Sequence, residues 1–172
     1  MPSTDPPIPT TPCTICVTGH RPHLLGGYSP SAVGLLREVA TTALLSLPFT
    51  PTSVLTGMAL GWDLAIAHAC DALSIPFHAY VPFPSQPALW APEDRLIYTR
   101  LLSLATSITT CSPDPYASWK MDLRNRRMVL ASSLVLACYS GTPGGTANCI
   151  RYARSLGRPT INAYSHFLQA TR

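Results

Sequence analysis

Charge is scarce in this chain: Asp, Glu, Lys and Arg together make up 12% of its 172 residues, against 47% hydrophobic residues. That balance excludes a disordered polyelectrolyte and predicts a chain that buries a substantial core. No apolar run approaches the ~20 residues a membrane-spanning helix needs, so no membrane partner is expected. The stretch Met1 to Pro12 holds five prolines and no basic residue ahead of an apolar segment. It lacks the parts of a signal peptide and reads as a disordered, partly extended tail. Residues 13–172 then read as a single domain, large enough to need no disulfide or metal staple. Without a secretion signal the expected location is the cytoplasm, where thiols stay reduced.

A second Cys pair is also missing. Cys13 and Cys16 have CxxC spacing, but residues three apart on a strand face opposite ways, and nothing completes a zinc site. Cys13, Cys16, Cys111 and Cys138 sit in or beside apolar, β-branched segments. The six cysteines are therefore read as core residues, with no metal and no cofactor expected. Acidic groups thin out toward the C-terminus. Residues 1–119 carry four basic and seven acidic groups, net −3, whereas residues 120–172 carry eight basic and one acidic, net +7. A basic half of this kind is either a solvated face or a patch that attracts phosphates.

What the chain does have is a repeating order of short apolar runs, glycine-bearing turns and helix-like stretches. Thr14 to Val17 leads into Thr18-Gly19-His20, and Ser53 to Thr56 leads into Gly57-Met58-Ala59-Leu60-Gly61. The best strand, Leu134 to Tyr139, leads into Ser140-Gly141-Thr142-Pro143-Gly144-Gly145-Thr146. Phe77–Val81, Ser107–Thr110 and Pro159–Ala163 complete six strands. Helices are expected from Ser29-Pro30 to about Leu47, from Gly61 to Leu73, from Pro92, from Ser118 to Ser132, and from Thr146 as cap to Leu156. The alternation predicts an α/β fold, a doubly wound, mostly parallel sheet of Rossmann type with helices on both faces. Right-handed crossovers would set all three turns along one edge, where glycines let backbone N–H groups approach a phosphate.

Around those turns stand the chemistry-bearing side chains. Asp63, just inside a helix, suits either the helix dipole or a sugar hydroxyl. Arg124 and Arg127 share a helical face, and a guanidinium fork fits a phosphate. The run Arg124-Asn125-Arg126-Arg127 is by itself the usual pattern of a solvated surface. Tyr28, Trp90 and Trp119 are candidates to stack on a base.

Val17-Thr18-Gly19-His20-Arg21-Pro22, Leu25-Gly26-Gly27-Tyr28, Thr56 to Asp63, Pro82-Phe83-Pro84-Ser85-Gln86 with Trp90, Arg124-Asn125 with Met128-Val129, and Gly141 with Gly144-Gly145-Thr146 occur in that order. Together they closely resemble the YpsA/YspA-like branch of the SLOG superfamily, which is related to DprA and to the LOG phosphoribohydrolases. The resemblance implies a nucleotide or nucleotide-derived ligand at the glycine edge. The binding residues it implies are Gly19, His20, Arg21, Gly57, Met58, Gly61, Asp63, Arg124, Asn125, Gly141, Gly144, Gly145 and Thr146. It also implies pairing through helices into a homo-oligomer. In LOG members a glutamate three residues after the last of these cleaves the N-glycosidic bond of a nucleoside monophosphate. Here that position is Cys149, and Leu130 and Ser133 stand where the branch commonly carries acids. A thiol replaces a carboxylate poorly in such chemistry. The leading expectation is therefore ligand sensing or sequestration. The alternatives are an N-glycosidase drawing on Asp63, Glu93 or Asp94 with Arg124 on the phosphate, and single-stranded DNA binding through the basic half.

Overall fold

The computed structural model describes residues 6–172. Residues 6–12 carry no helix or strand, and 1–5 of the expected tail lie outside the described residues. From Thr14 onward strand and helix alternate. The strands are β1 (Thr14–Gly19), β2 (Ser53–Thr56), β3 (Phe77–Val81), β4 (Ser107–Thr110), β5 (Leu134–Cys138) and β6 (Thr160–Asn162). Each is followed by its helix: α1 (Pro30–Leu45), α2 (Trp62–Leu73), α3 (Pro92–Leu104), α4 (Ser118–Leu130), α5 (Gly145–Ser155) and α6 (Tyr164–Ala170).

All pairings are parallel, and the sheet order is β4-β3-β2-β1-β5-β6. Ile15 of β1 pairs with Val54 on one side and Leu134 on the other, so β1 and β5 are the central pair. Winding runs outward through β2, β3 and β4, then α4 carries the chain back across the sheet to β5. The reversal falls between β1 and β5, which makes their C-terminal ends the switch point of a Rossmann-like α/β fold.

Strand periodicity sorts the core into two layers. Ile15, Val17, Val54, Leu134 and Leu136 join the larger cluster, filled from α1, α2, α3 and α6. Cys16, Leu55 and Val135 point the other way, onto Met128 and Val129 of α4 and Cys149 and Ala153 of α5. The CxxC pair is split accordingly: Cys13 packs on the larger cluster and Cys16 lies in the smaller. Every residue of β5 is buried, as its unbroken apolar run requires of a central parallel strand.

Local chemistry sets the helix starts. Ser29 Oγ accepts the Ala32 N–H at 3.2 Å, and Pro30 occupies the first helical position of α1. Pro92 does the same for α3, with Glu93 and Asp94 in its first turn. Two expectations need correction. Thr146 is not the cap of α5: Gly144, at φ 146°, turns the chain earlier, and its carbonyl accepts the Asn148 N–H at 3.0 Å. The C-terminal segment also forms an unforeseen helix, α6, which seats Phe167 in the larger core.

Candidate functional site

At the switch point, β1 and β5 send their chains to opposite faces of the sheet and leave a cleft between them. A cavity of about 460 Å³ occupies it. One wall is the first turn, Thr18 to Arg21. A second is the third turn and the start of α5, Thr142 to Thr146. The third comes from α4, with Met121, Asp122, Arg124 and Asn125, and Asp63 of α2 reaches the floor.

The first and third turns are tied to each other. His20 N–H donates to the Cys138 carbonyl at 3.1 Å. The His20 Nε2 accepts the Ser140 N–H at 2.9 Å and lies 2.8 Å from Ser140 Oγ. Accepting an amide proton requires an unprotonated Nε2, so the ring is the neutral tautomer with its proton on Nδ1. Burial also lowers the His20 pKa, as does the neighbouring His23. From behind, Asn162 holds the third turn: its Oδ1 accepts the Tyr139 N–H at 3.0 Å and its Nδ2 donates to the Tyr139 carbonyl at 2.8 Å. No side chain caps α5. The first N–H groups of that helix therefore face the cavity wall without an intrahelical partner.

The second turn behaves differently. Arg124 is 4% exposed, and its Nη1 donates to the Gly57 carbonyl and, at 3.5 Å, to the Tyr80 carbonyl. Its Nε donates to Asn125 Oδ1 at 2.8 Å. Asp63 Oδ2 lies 3.9 Å from Arg124 Nη1 and accepts the Ala59 N–H at 3.4 Å. Gln86 Nε2 adds a bond to the Gly57 carbonyl at 3.1 Å, and Tyr98 donates to Gln86 in turn. Met58 sits at φ 56° with its N–H on Thr56 Oγ1 at 3.2 Å. Burial raises the Asp63 pKa above the ordinary carboxylate value, opposed by Arg124 and Arg21. The Arg124 guanidinium is thus engaged chiefly with protein carbonyls.

Of the residues singled out in the sequence, Gly19, His20, Arg21, Asp63, Arg124, Asn125, Gly144, Gly145 and Thr146 line this one cavity. Gly57, Met58, Gly61 and Gly141 do not. Gly57 is filled by Arg124, Met58 is fully buried, and Gly61 is pressed against the His20 carbonyl. Glu93 and Asp94 open α3 away from the cleft, where Asp94 borders a separate small hollow beside Tyr28. The expected aromatic platforms lie elsewhere as well. Trp90 packs edge-on against Tyr98 at 5.3 Å, and Trp119 is exposed beside Lys120. The aromatic that does line the cavity is Tyr116, which periodicity could not single out because it stands in a loop.

The carboxylates bordering the cavity are Asp63 and Asp122, and Asp122 accepts from Arg126 Nε at 2.7 Å. Cys149, at the position of the LOG glutamate, is 1% exposed in the smaller core, and burial pushes its thiol up to about 11. It is a packing residue at neutral pH, not a base or a nucleophile.

The "Uncharacterized SPbeta prophage-derived protein YoqJ" of Bacillus subtilis (strain 168) is 30% identical to this chain, over 58% of this chain and 68% of its own length. This chain belongs to the YoqJ family. No protein-family profile matches it. Among solved structures, the fold is shared with DNA processing protein A (DprA) of Streptococcus pneumoniae, at TM-score 0.60 and 14% identity. That match covers 92% of this YoqJ-family chain but only 56% of DprA. DprA of Helicobacter pylori, described for its single-stranded DNA binding mode, matches at TM-score 0.60 and 14% identity over 94% of this chain and 74% of its own. TM1055 matches at TM-score 0.54 and 17% identity, over 86% and 72%. Among the described residues, no helix is long and apolar enough to cross a membrane.

Proposed function

We propose that this chain binds a nucleotide or nucleotide-derived anion in the cleft between the first and third turns, as a member of the SLOG superfamily, and does not cleave it. The observation that carries this reading is the cavity of about 460 Å³ at the switch point, within the range of small-molecule sites. It joins an uncapped helix start to the Arg21 side chain, which feels the Asp63 carboxyl but makes no salt bridge among the described residues. An anion there meets free N–H donors, the positive end of α5 and a guanidinium. Binding without hydrolysis fits the carboxylates: both are engaged by arginines, and the position that would hold a catalytic glutamate is a buried thiol.

Calorimetric titration with nucleoside monophosphates, cyclic dinucleotides and ADP-ribose tests the reading. Binding that Arg21→Ala weakens is expected. No heat from any of them at high micromolar concentration would overturn it.

A second reading, single-stranded DNA binding, is favoured by the likeness to DprA and by the exposed arginines of α4 and α5, where Arg126 stacks on Tyr152 at 4.7 Å. Such binding should fall steeply with salt. A gel shift with no complex at low salt would dismiss it.

A further inference from the structure

We propose that Tyr116 is the platform on which a planar ring of the ligand stacks, so that the cavity selects a base-bearing anion over a bare sugar phosphate. The inference rests on the binding reading above and deepens it. Tyr116 lines the cavity, yet 66% of the residue is exposed. The exposed ring thus stands where a ligand seated in the cavity can cover it.

The loop that carries it is fastened rather than free. Asp114 Oδ1 accepts both the Ser85 N–H at 2.9 Å and the Ser85 hydroxyl at 2.6 Å. The Lys120 side chain is buried, and its ammonium donates to the carbonyls of Pro113 and Pro115, the latter the residue just before Tyr116. Phe83, itself buried, meets the Tyr116 ring at 5.7 Å and 81°. Ser85 and Lys120 thus fix the loop just ahead of Tyr116, and Phe83 supports its ring, which is otherwise largely open. A buried lysine spent on two loop carbonyls is costly unless the loop's position matters, because its charge must leave water. Holding the ring in place before binding spares the ligand the entropy of ordering it.

Other groups around Tyr116 agree. Met121, a soft apolar side chain suited to an aromatic edge, also lines the cavity. The start of α5 and Arg21 supply the anion end. The cavity lining therefore offers both groups that take charge and an aromatic face, and every base has a π-face to set against it.

The test is calorimetry of the wild type, Tyr116→Ala and Tyr116→Phe against AMP, GMP, CMP and UMP and against ribose 5-phosphate, which keeps the phosphate and sugar but has no base. The wild type should bind at least one of the nucleotides more tightly than ribose 5-phosphate. Tyr116→Ala should weaken that nucleotide by roughly 5- to 150-fold, the loss of one stacked base, and leave ribose 5-phosphate unchanged. Tyr116→Phe keeps the ring and should keep the affinity. Equal binding of nucleotide and ribose 5-phosphate, or an equal loss of both in Tyr116→Ala, would overturn the stacking role while leaving the anion site standing. Wild type that binds none of these compounds would overturn the stacking role, and if cyclic dinucleotides and ADP-ribose also give no heat, the anion site falls with it.

Discussion

Around the glycines of the second turn the space is already taken, whereas around those of the third it is empty. A Cβ added at Gly57 would collide with the Arg124 guanidinium, and one at Gly61 would lie 2.5 Å from the His20 carbonyl. At Gly141, Gly144 and Gly145 nothing lies within 4 Å. Both turns follow a parallel strand, and both precede a helix. In one, glycine admits another part of the protein; in the other, it leaves room for something from outside. The difference teaches that a glycine turn at a sheet edge names a close approach but not the approaching group.

The contrast can be broken most forcefully at Arg124. Arg124→Ala leaves Asp63 buried without its cation, and the expected loss of unfolding free energy is about 3–5 kcal/mol, read by urea denaturation. Gly57→Ala comes next. The new methyl must displace a buried guanidinium, and overpacking of that kind costs about 1–3 kcal/mol.

His20 probes the tie between the first and third turns. Its pKa is lowered in the folded state, so the unfolded chain binds the extra proton more readily. The stability from neutral His20 is therefore present above the unfolded value of about 6.5 and is lost as pH falls through it. The slope cannot exceed about 1.4 kcal/mol per pH unit for one proton. Urea midpoints of wild type should drop across this range more than those of His20→Gln, and parallel curves would refute the tie.

The smallest stability effect is expected at Gly145. Its φ suits any residue and its surroundings are open, so Gly145→Ala should raise stability by about 0.4–1 kcal/mol. The added methyl stands at the cavity wall, and nucleotide affinity should nevertheless fall in calorimetry.

Much of this architecture was legible in the residues. The apolar runs ending in glycine turns mark β1, β2 and β5 to within two residues, and Ser29-Pro30 and Pro92 mark helix starts. α6 was not legible because it is seven residues long and buries only Phe167, too little for a periodic signal. Half of the site was legible for a similar reason. Gly144-Gly145-Thr146 acts through backbone, which sequence motifs report well. The burial of Arg124 depends on a stripe, Lys120, Arg124, Asn125, Met128 and Val129, in which polar residues take the inward positions of α4. A pattern rule expecting apolar residues there reads that face as solvated. Tyr116 depends on Ser85 and Lys120, and no spacing along the chain encodes such a meeting.

The most direct measurement is an amide chemical-shift map of the ¹⁵N-labelled protein titrated with the tightest nucleotide found. The largest shifts should fall on Gly144 to Ala147 and on His20 and Arg21, with Gly57 and Met58 undisturbed. Shifts centred on Gly57 to Gly61, or on the hollow beside Tyr28, would contradict the assignment of the cleft.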